Sequence, residues 1–305
     1  MKTIAFISGK GGTGKTSLVG AFAHLAAPVV LADCDVDAAN LALLLPGKVV
    51  YEEPFFAGEL AAINPDRCAC CGLCAQACRF DAIRDLGTTF AVDPLACEGC
   101  RVCAHVCEFD AVELMPNEAG VVQRIESKCG PLVRAELRPA QSNSGKMVTR
   151  VRTLAREQAE AGGYGLVLLD GPPGIGCPVH ATLANVDLAV VVTEPTPSGR
   201  HDLERALTLL DRFELPGRVI VNKADLSPSM TNRVTQLAVS RGIGVVGRLP
   251  FTEAAPWGLA QGRTLLDVEV LRHRLTDIWE RLTAAVENQP RSAPSVPLVR
   301  DVAGC

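Results

Sequence analysis

The chain has 305 residues and a mass of 32.2 kDa, room for one large α/β domain or two smaller ones. With 48% hydrophobic and 21% charged residues it can bury a sizeable core, which excludes a wholly disordered chain. The 30 Lys and Arg against 34 Asp and Glu leave a net charge of −4, which disfavours a general nucleic-acid binder. Met1–Ser8 is too short for a signal-peptide core, and no apolar run approaches the roughly 18 residues of a membrane span. The expectation is a soluble, cytoplasmic protein with no membrane partner.

In chain order, Thr3–Ser8 is short, apolar and β-prone, Gly9–Gly14 breaks it, Lys15–Ala26 has helical composition and Val29–Ala32 reads as the next strand. From Ile63 to Val112 the character changes to cysteine and proline among Asp and Asn. Beyond Gly130 the βα alternation resumes. Leu166–Leu169, Leu188–Thr193, Val219–Val221 and Val245–Gly247 are candidate buried strands, and Thr149–Ala161, Gly199–Phe213 and Ser229–Arg241 are helical stretches between them. This predicts an α/β fold, a mostly parallel sheet with helices on both faces. The cysteine-rich stretch is then a small inserted α+β domain at 61–116, dividing the α/β domain into 1–60 and 117–288. The tail, 289–305, holds three prolines and is expected to be disordered.

Gly9-Lys10-Gly11-Gly12-Thr13-Gly14-Lys15-Thr16, followed by Ser17, fits G-x-x-x-x-G-K-[ST] between a predicted strand and a predicted helix. The glycines let backbone N–H groups close around phosphate oxygens, and the helix N-terminus adds its positive dipole end. Lys15 would reach the β- and γ-phosphates, and the Thr16 hydroxyl would bind Mg²⁺. Asp33 and Asp35 close the second strand, and Asp170 closes another in Asp170-Gly171-Pro172-Pro173-Gly174. Ligands of open α/β sheets sit at the carboxyl ends of strands, so all three can face one crevice. Asp170 would hold Mg²⁺ through water. Asn222-Lys223-Ala224-Asp225 follows another strand and suits a base-recognition loop, with Asn222 on a purine edge. Asp225 completes N-K-x-D, a pattern that selects guanine in GTPases, so these residues leave ATP against GTP open.

The loop with its early lysine, Lys10, resembles the deviant phosphate loop of the MinD/ParA family, which includes the nitrogenase iron protein. Asp33-Cys34-Asp35-Val36-Asp37-Ala38-Ala39-Asn40 resembles that family's first switch and Asp170–Gly174 its second. The resemblance covers most of the chain outside the cysteine-rich stretch. It implies an ATPase that forms a nucleotide-dependent homodimer, with Lys10 reaching the partner subunit's phosphates and Asp35 positioning the attacking water. It also favours ATP.

The chain contains 13 cysteines. An odd count and the absence of an export signal argue for metal or cluster ligation over a disulfide framework. Cys68, Cys71, Cys74 and Cys78 form C-x-x-C-x-x-C-x-x-x-C, and Cys97, Cys100, Cys103 and Cys107 repeat it at a constant offset, an internal duplication. Three closely spaced thiolates wrap one face of a cubane, while the fourth ligates the other cluster. Cys68, Cys71, Cys74 and Cys107 are thereby assigned to one [4Fe-4S] cluster, and Cys97, Cys100, Cys103 and Cys78 to a second. The segment resembles a bacterial two-cluster ferredoxin, except that Arg79 and Glu108 replace the proline that usually follows the fourth cysteine. Structural zinc is the alternative. Cys34, Cys70, Cys129, Cys177 and Cys305 are left over. Cys177 matches the place of the dimer-bridging cluster cysteine of the nitrogenase iron protein, but the second ligand is missing near Asn143-Ser144-Gly145-Lys146, so an interface thiol is expected.

Two functions follow as expectations. The first is an ATP-driven redox protein, in which hydrolysis gates electron transfer through the clusters to an unidentified redox partner. The second is a MinD/ParA-like positioning or partitioning ATPase whose ferredoxin module is structural or sensing. A cluster-assembly scaffold is disfavoured, because tightly wrapped cubanes suit retention.

Overall fold

The computed structural model describes residues 1–139, 141 and 144–289. The predicted tail from 290 onward, including Cys305, lies outside them, as does Asn143. In chain order the elements are β1 (Lys2–Ser8), α1 (Lys15–Ala26), β2 (Val30–Asp33), α2 (Leu41–Leu44), β3 (Gly47–Ile63), α3 (Leu73–Ala77), β4 (Ile83–Asp85), β5 (Phe90–Val92), α4 (Val102–His105), β6 (Val112–Ser127) and β7 (Gly130–Leu137). They continue with α5 (Ser144–Gly162), β8 (Leu166–Pro173), α6 (Cys177–Leu183), β9 (Leu188–Thr193), α7 (Pro197–Arg212), β10 (Gly217–Val221), α8 (Pro228–Ser240), β11 (Gly244–Arg248), α9 (Ala254–Ala260) and α10 (Glu269–Glu287).

The fold is α/β. A nine-stranded, mostly parallel sheet runs β11-β10-β9-β1-β8-β2-β7-β6-β3. Its central strands are short runs of β-branched and aliphatic residues; β2 and β9 are buried throughout, as a strand covered on both faces must be. β1 pairs in parallel with β8 on one side and β9 on the other, while its own crossover, α1, leads to β2. The direction of winding changes at β1, and such a point opens a crevice at the carboxyl ends of the strands. On the flank of α1, Phe22 stacks between Phe6 of β1 and Trp279 of α10, with ring centroids 5.6 and 5.5 Å apart.

The chain divides into two compact units. The first is Met1–Glu52, Val122–Ala135 and Ser144–Cys305; the second is Glu53–Val121 and Glu136–Asn143. Three of the four boundaries fall within β3, β6 and β7, so each of these strands contributes residues to both units. The second unit contains the β4–β5 antiparallel ribbon, α3 and α4, and a small core of Ala61, Cys74, Phe90 and Cys103.

Sequence reasoning places the strands Leu188–Thr193 and the helix Lys15–Ala26 at their observed bounds. It ends Leu166–Leu169 too early, since β8 continues through Asp170 to Pro173. It overlooks β3, β6 and β7. β3 is the last strand of the sheet, carries Pro54 and Gly58, and is exposed over its first six residues, so no buried face imposes a period on its sequence. β6 and β7 are joined by Lys128 and Cys129 alone, a link short enough to impose antiparallel pairing at one end of the mostly parallel sheet.

Candidate nucleotide site

The segment after β1 turns through two left-handed glycines, Gly12 and Gly14, with φ of 77° and 87°. A side chain at either would be strained, and a Cβ on Gly14 would lie 2.5 Å from Asn222 Nδ2. Gly14 is the N-cap of α1 and offers no capping side chain, so the first-turn N–H groups remain available to an anion. Ser8 Oγ donates to Lys10 O at 2.9 Å and ties the start of the loop to the strand.

Lys15 is 5% exposed, and its Nζ lies 2.5 Å from Asp170 Oδ1 and 3.4 Å from Thr16 Oγ1. Register explains the first contact. Asp170 stands beside Phe6 of β1 and beside Asp33 of β2, so the acid on β8 faces the loop leaving β1. Asp170 is fully buried, and its Oδ2 has no hydrogen-bond partner. A buried carboxylate oxygen left unpaired is costly unless a ligand satisfies it.

Asp33 is also fully buried but is fully engaged: Oδ1 accepts the N–H of Asp35 at 3.2 Å and Oδ2 that of Leu41 at 2.9 Å. It therefore frames the turn from Asp35 to Leu41. Burial, and secondarily the Asp170 charge, pushes its pKa up to about 7. The half-buried Asp35 is raised by desolvation, against the opposing pull of Lys15. Cys34 between them is fully buried, with its thiol pushed up to about 12 by burial, and its N–H donates to Asp170 O at 2.8 Å. This thiol is inert packing.

Lys10 Nζ lies 2.5 Å from Glu194 Oε1 and donates to Ser198 Oγ at 3.2 Å. Asn222 does not stand free: Nδ2 donates to Thr13 O at 2.8 Å and Oδ1 accepts from Lys223 N at 3.0 Å, so the amide braces the phosphate loop. Asp225 Oδ1 accepts the Phe251 N–H at 2.6 Å. Sequence reasoning missed Glu194, and it named Lys223 only within the base-recognition loop, without a role of its own. Glu194 directly follows β9, and position at a carboxyl strand end was the one signal available.

In the second unit, Cys78, Cys97, Cys100 and Cys103 line one cavity together with Ala61, Phe80 and other residues. Cys107 is not among its walls; its Sγ accepts the Ala111 N–H at 3.4 Å. The Cys74 thiol is raised by burial and further by the nearby Cys68 and Cys71, and the Cys103 thiol by burial and by Cys97 and Cys100. Among the described residues no three His, Cys, Asp or Glu side chains converge on a point that would hold a single metal ion. Every described cysteine is a free thiol, and Cys177 is exposed at the start of α6. No helix among the described residues is long and apolar enough to cross a membrane.

Residues 4–265 match the family model of the CobQ/CobB/MinD/ParA nucleotide binding domain. The uncharacterized protein MJ0578 of Methanocaldococcus jannaschii is 39% identical over 235 residues, covering 73% of this chain and 79% of that protein. Among solved structures, a chain of the MinC:MinD cell division protein complex of Aquifex aeolicus has a TM-score of 0.55 at 19% identity, covering 98% of this chain and 99% of its own. The septum site-determining protein MinD of Pyrococcus horikoshii, complexed with Mg-ADP, has a TM-score of 0.51 at 18% identity, covering 92% and 95%. At such identities the likeness to the solved structures is one of fold.

Proposed function

Because the chain belongs to the CobQ/CobB/MinD/ParA family of nucleotide-binding domains, we propose that it is a Mg²⁺-dependent ATPase that works as a switch, two copies closing around ATP. The carrying observation is the buried Lys15–Asp170 pair beneath the glycine loop, with Asp170 Oδ2 unsatisfied. That oxygen and the Thr16 hydroxyl are the donor set a hard cation takes, so Mg²⁺ fits here. Bound, it would neutralise charge on the phosphates. The rest falls to the chain. Backbone N–H groups of Gly11–Ser17 cradle the phosphates, Lys15 turns from Asp170 to the β/γ-oxygens, and Asp35 orients the attacking water. Lys10 crosses to the phosphates held by the other copy.

ATP is preferred over GTP in this reading. One oxygen of Asp225 already accepts the Phe251 N–H, which leaves it less acceptor capacity for a guanine edge. Turnover of MgATP and MgGTP by the wild type and Lys15→Ala tests the proposal. ATP should be hydrolysed much faster than GTP, and Lys15→Ala should lose about 100-fold or more, because the cation facing the transferred phosphoryl is gone. Wild-type turnover by Lys15→Ala would overturn it.

As to what the switch controls, the similar solved structures are named as a cell division protein complex and a septum site-determining protein, which favours a positioning or partitioning ATPase with the second unit as a structural or sensing module. A specific observation favours a second reading, ATP-gated electron transfer. Cys78, Cys97, Cys100 and Cys103, one of the two sets expected from the duplication, are among the residues that line one cavity. A cubane spans a wider set of thiolates than a single ion does, so such a donor set suits [4Fe-4S]. The cluster would supply one-electron chemistry; the chain would hold it by thiolates and shield it with Ala61 and Phe80. The other set, Cys68, Cys71, Cys74 and Cys107, is proposed by the same duplication.

A further inference from the structure

Glu194 lies one residue beyond β9, at the strand end where the phosphate loop sits, and the hydrolysis scheme makes no use of it. Its carboxylate bridges two lysines. Oε1 lies 2.5 Å from Lys10 Nζ and Oε2 lies 3.1 Å from Lys223 Nζ. Lys223 Nζ also donates to Gly12 O at 3.1 Å, and Lys10 Nζ to Ser198 Oγ at 3.2 Å. Ser198 in turn contacts Oγ1 of Thr196, the N-cap of α7. Burial would raise the Glu194 pKa, yet the hydrogen bonds and charges of the two lysines hold it below its ordinary value, so the group is an anion at neutral pH. An anion at the rim of a triphosphate site repels the ligand, and its place there calls for a reason.

We propose that Glu194 is a positioning residue, the intrachain seat that holds Lys10 in the monomer and gives it up when a second ATP-loaded copy docks. The inference rests on the reading that Lys10 acts across a dimer. In this scheme the Lys10 ammonium, 2.5 Å from Glu194 in the single chain, exchanges that contact for the other subunit's phosphates as the dimer forms. Lys223 eases the break. When Lys10 leaves Oε1, Lys223 remains on Oε2, and the carboxylate avoids the buried, unpaired state that makes breaking an ion pair costly. The Lys10 side chain is 34% exposed against 12% for Glu194, so solvent screens the pair and a partner can outcompete it. The seat thus sets a threshold: it keeps Lys10 off its target until the competing phosphates arrive with a second subunit.

Sedimentation of the full chain across protein concentrations, with Mg²⁺ and a non-hydrolysable ATP analogue, reads the dimer dissociation constant. ATP turnover against protein concentration reads the link to hydrolysis. Glu194→Gln should tighten the dimer about 5-fold per released lysine, hence about 25-fold for two. The turnover midpoint should move to lower protein concentration with the plateau unchanged. Ser198→Ala removes the hydroxyl that contacts Lys10 and Thr196 but keeps the Glu194 pair, and should move both readings the same way by less, which keeps the test open if Glu194→Gln does not fold. In a Lys10→Ala background Glu194→Gln should change nothing further. A weaker dimer or a lower plateau in Glu194→Gln overturns the seat, as does an equal shift in the Lys10→Ala background. Wild-type dimerisation and turnover by Lys10→Ala alone takes down the seat together with the reading it rests on, and no other outcome implicates that reading.

Discussion

Asp33 and Asp170 stand in register on adjacent strands, both fully buried, and Lys15 is the one cation whose charge eases Asp33. Burial first and the Asp170 charge second push Asp33 from its ordinary 3.8 to about 7. A carboxyl raised in the folded state contributes stability that is fully present below the unfolded value and is lost as pH rises through the folded one. Nucleotide-free protein should therefore lose stability between about pH 4 and pH 7. Asp33→Asn should flatten that slope, although its amide nitrogen gives up one of the two accepted N–H bonds and lowers stability at every pH by about 1 kcal/mol. Melting without nucleotide at about pH 5 and about pH 8 checks this; a slope as steep as the wild type's would refute the assignment. The acid itself was visible in the sequence as one of three strand-end aspartates. Its job was not. Only the fold reveals that both of its oxygens are spent on the turn to Leu41, whereas an oxygen of Asp170 is left open.

At the scale of elements, the strand–loop–helix unit was readable because its sequence is dictated twice, by the buried apolar run of β1 and by glycines where φ is positive. The duplicated cysteine stretch was readable for a similar reason, since spacing survives without any knowledge of the surroundings. Glu194 and β3 had no such signature: a single acid after a strand has no period, and an exposed edge strand has no buried face to give it one. The short helices α3 and α4 each begin after a residue in the left-handed region, Gly72 and Arg101, and each carries a buried cysteine, Cys74 and Cys103. The two turns thus repeat one another, as the sequence duplication does, and the cluster reading is open to direct assay. Anaerobically isolated protein should contain about eight iron and eight sulfide per chain, and Cys100→Ser should lower both to about four by emptying one site while the other is kept. Iron and sulfide assays together with metal analysis decide it. Stoichiometric zinc, or iron unaffected by Cys100→Ser, would remove the clusters from the proposal.

For the molecule as a whole, the two readings of the switch differ in whether the units communicate. β3, β6 and β7 each carry residues of both units. β2, which ends in Asp33 ahead of the first switch segment, pairs with β7 through Leu31–Leu132 and Ala32–Val133, residues of the first unit. Segments that contact the γ-phosphate order with nucleotide and relax on hydrolysis. If ATP turnover gates electron transfer, the cluster potential or its rate of reoxidation must depend on nucleotide. A shift of about 59 mV in a one-electron couple is a tenfold change in equilibrium, so small changes in solvation at the cysteines are measurable. By linkage, cluster oxidation state must then alter nucleotide affinity by the same factor. Redox titration with MgADP and with a non-hydrolysable ATP analogue should separate the two nucleotide states in the wild type, and the separation should vanish in Lys15→Ala. Identical potentials and identical reoxidation rates in every state would leave the positioning reading, with the cysteine unit a structural or sensing module on an ATPase that does not move electrons.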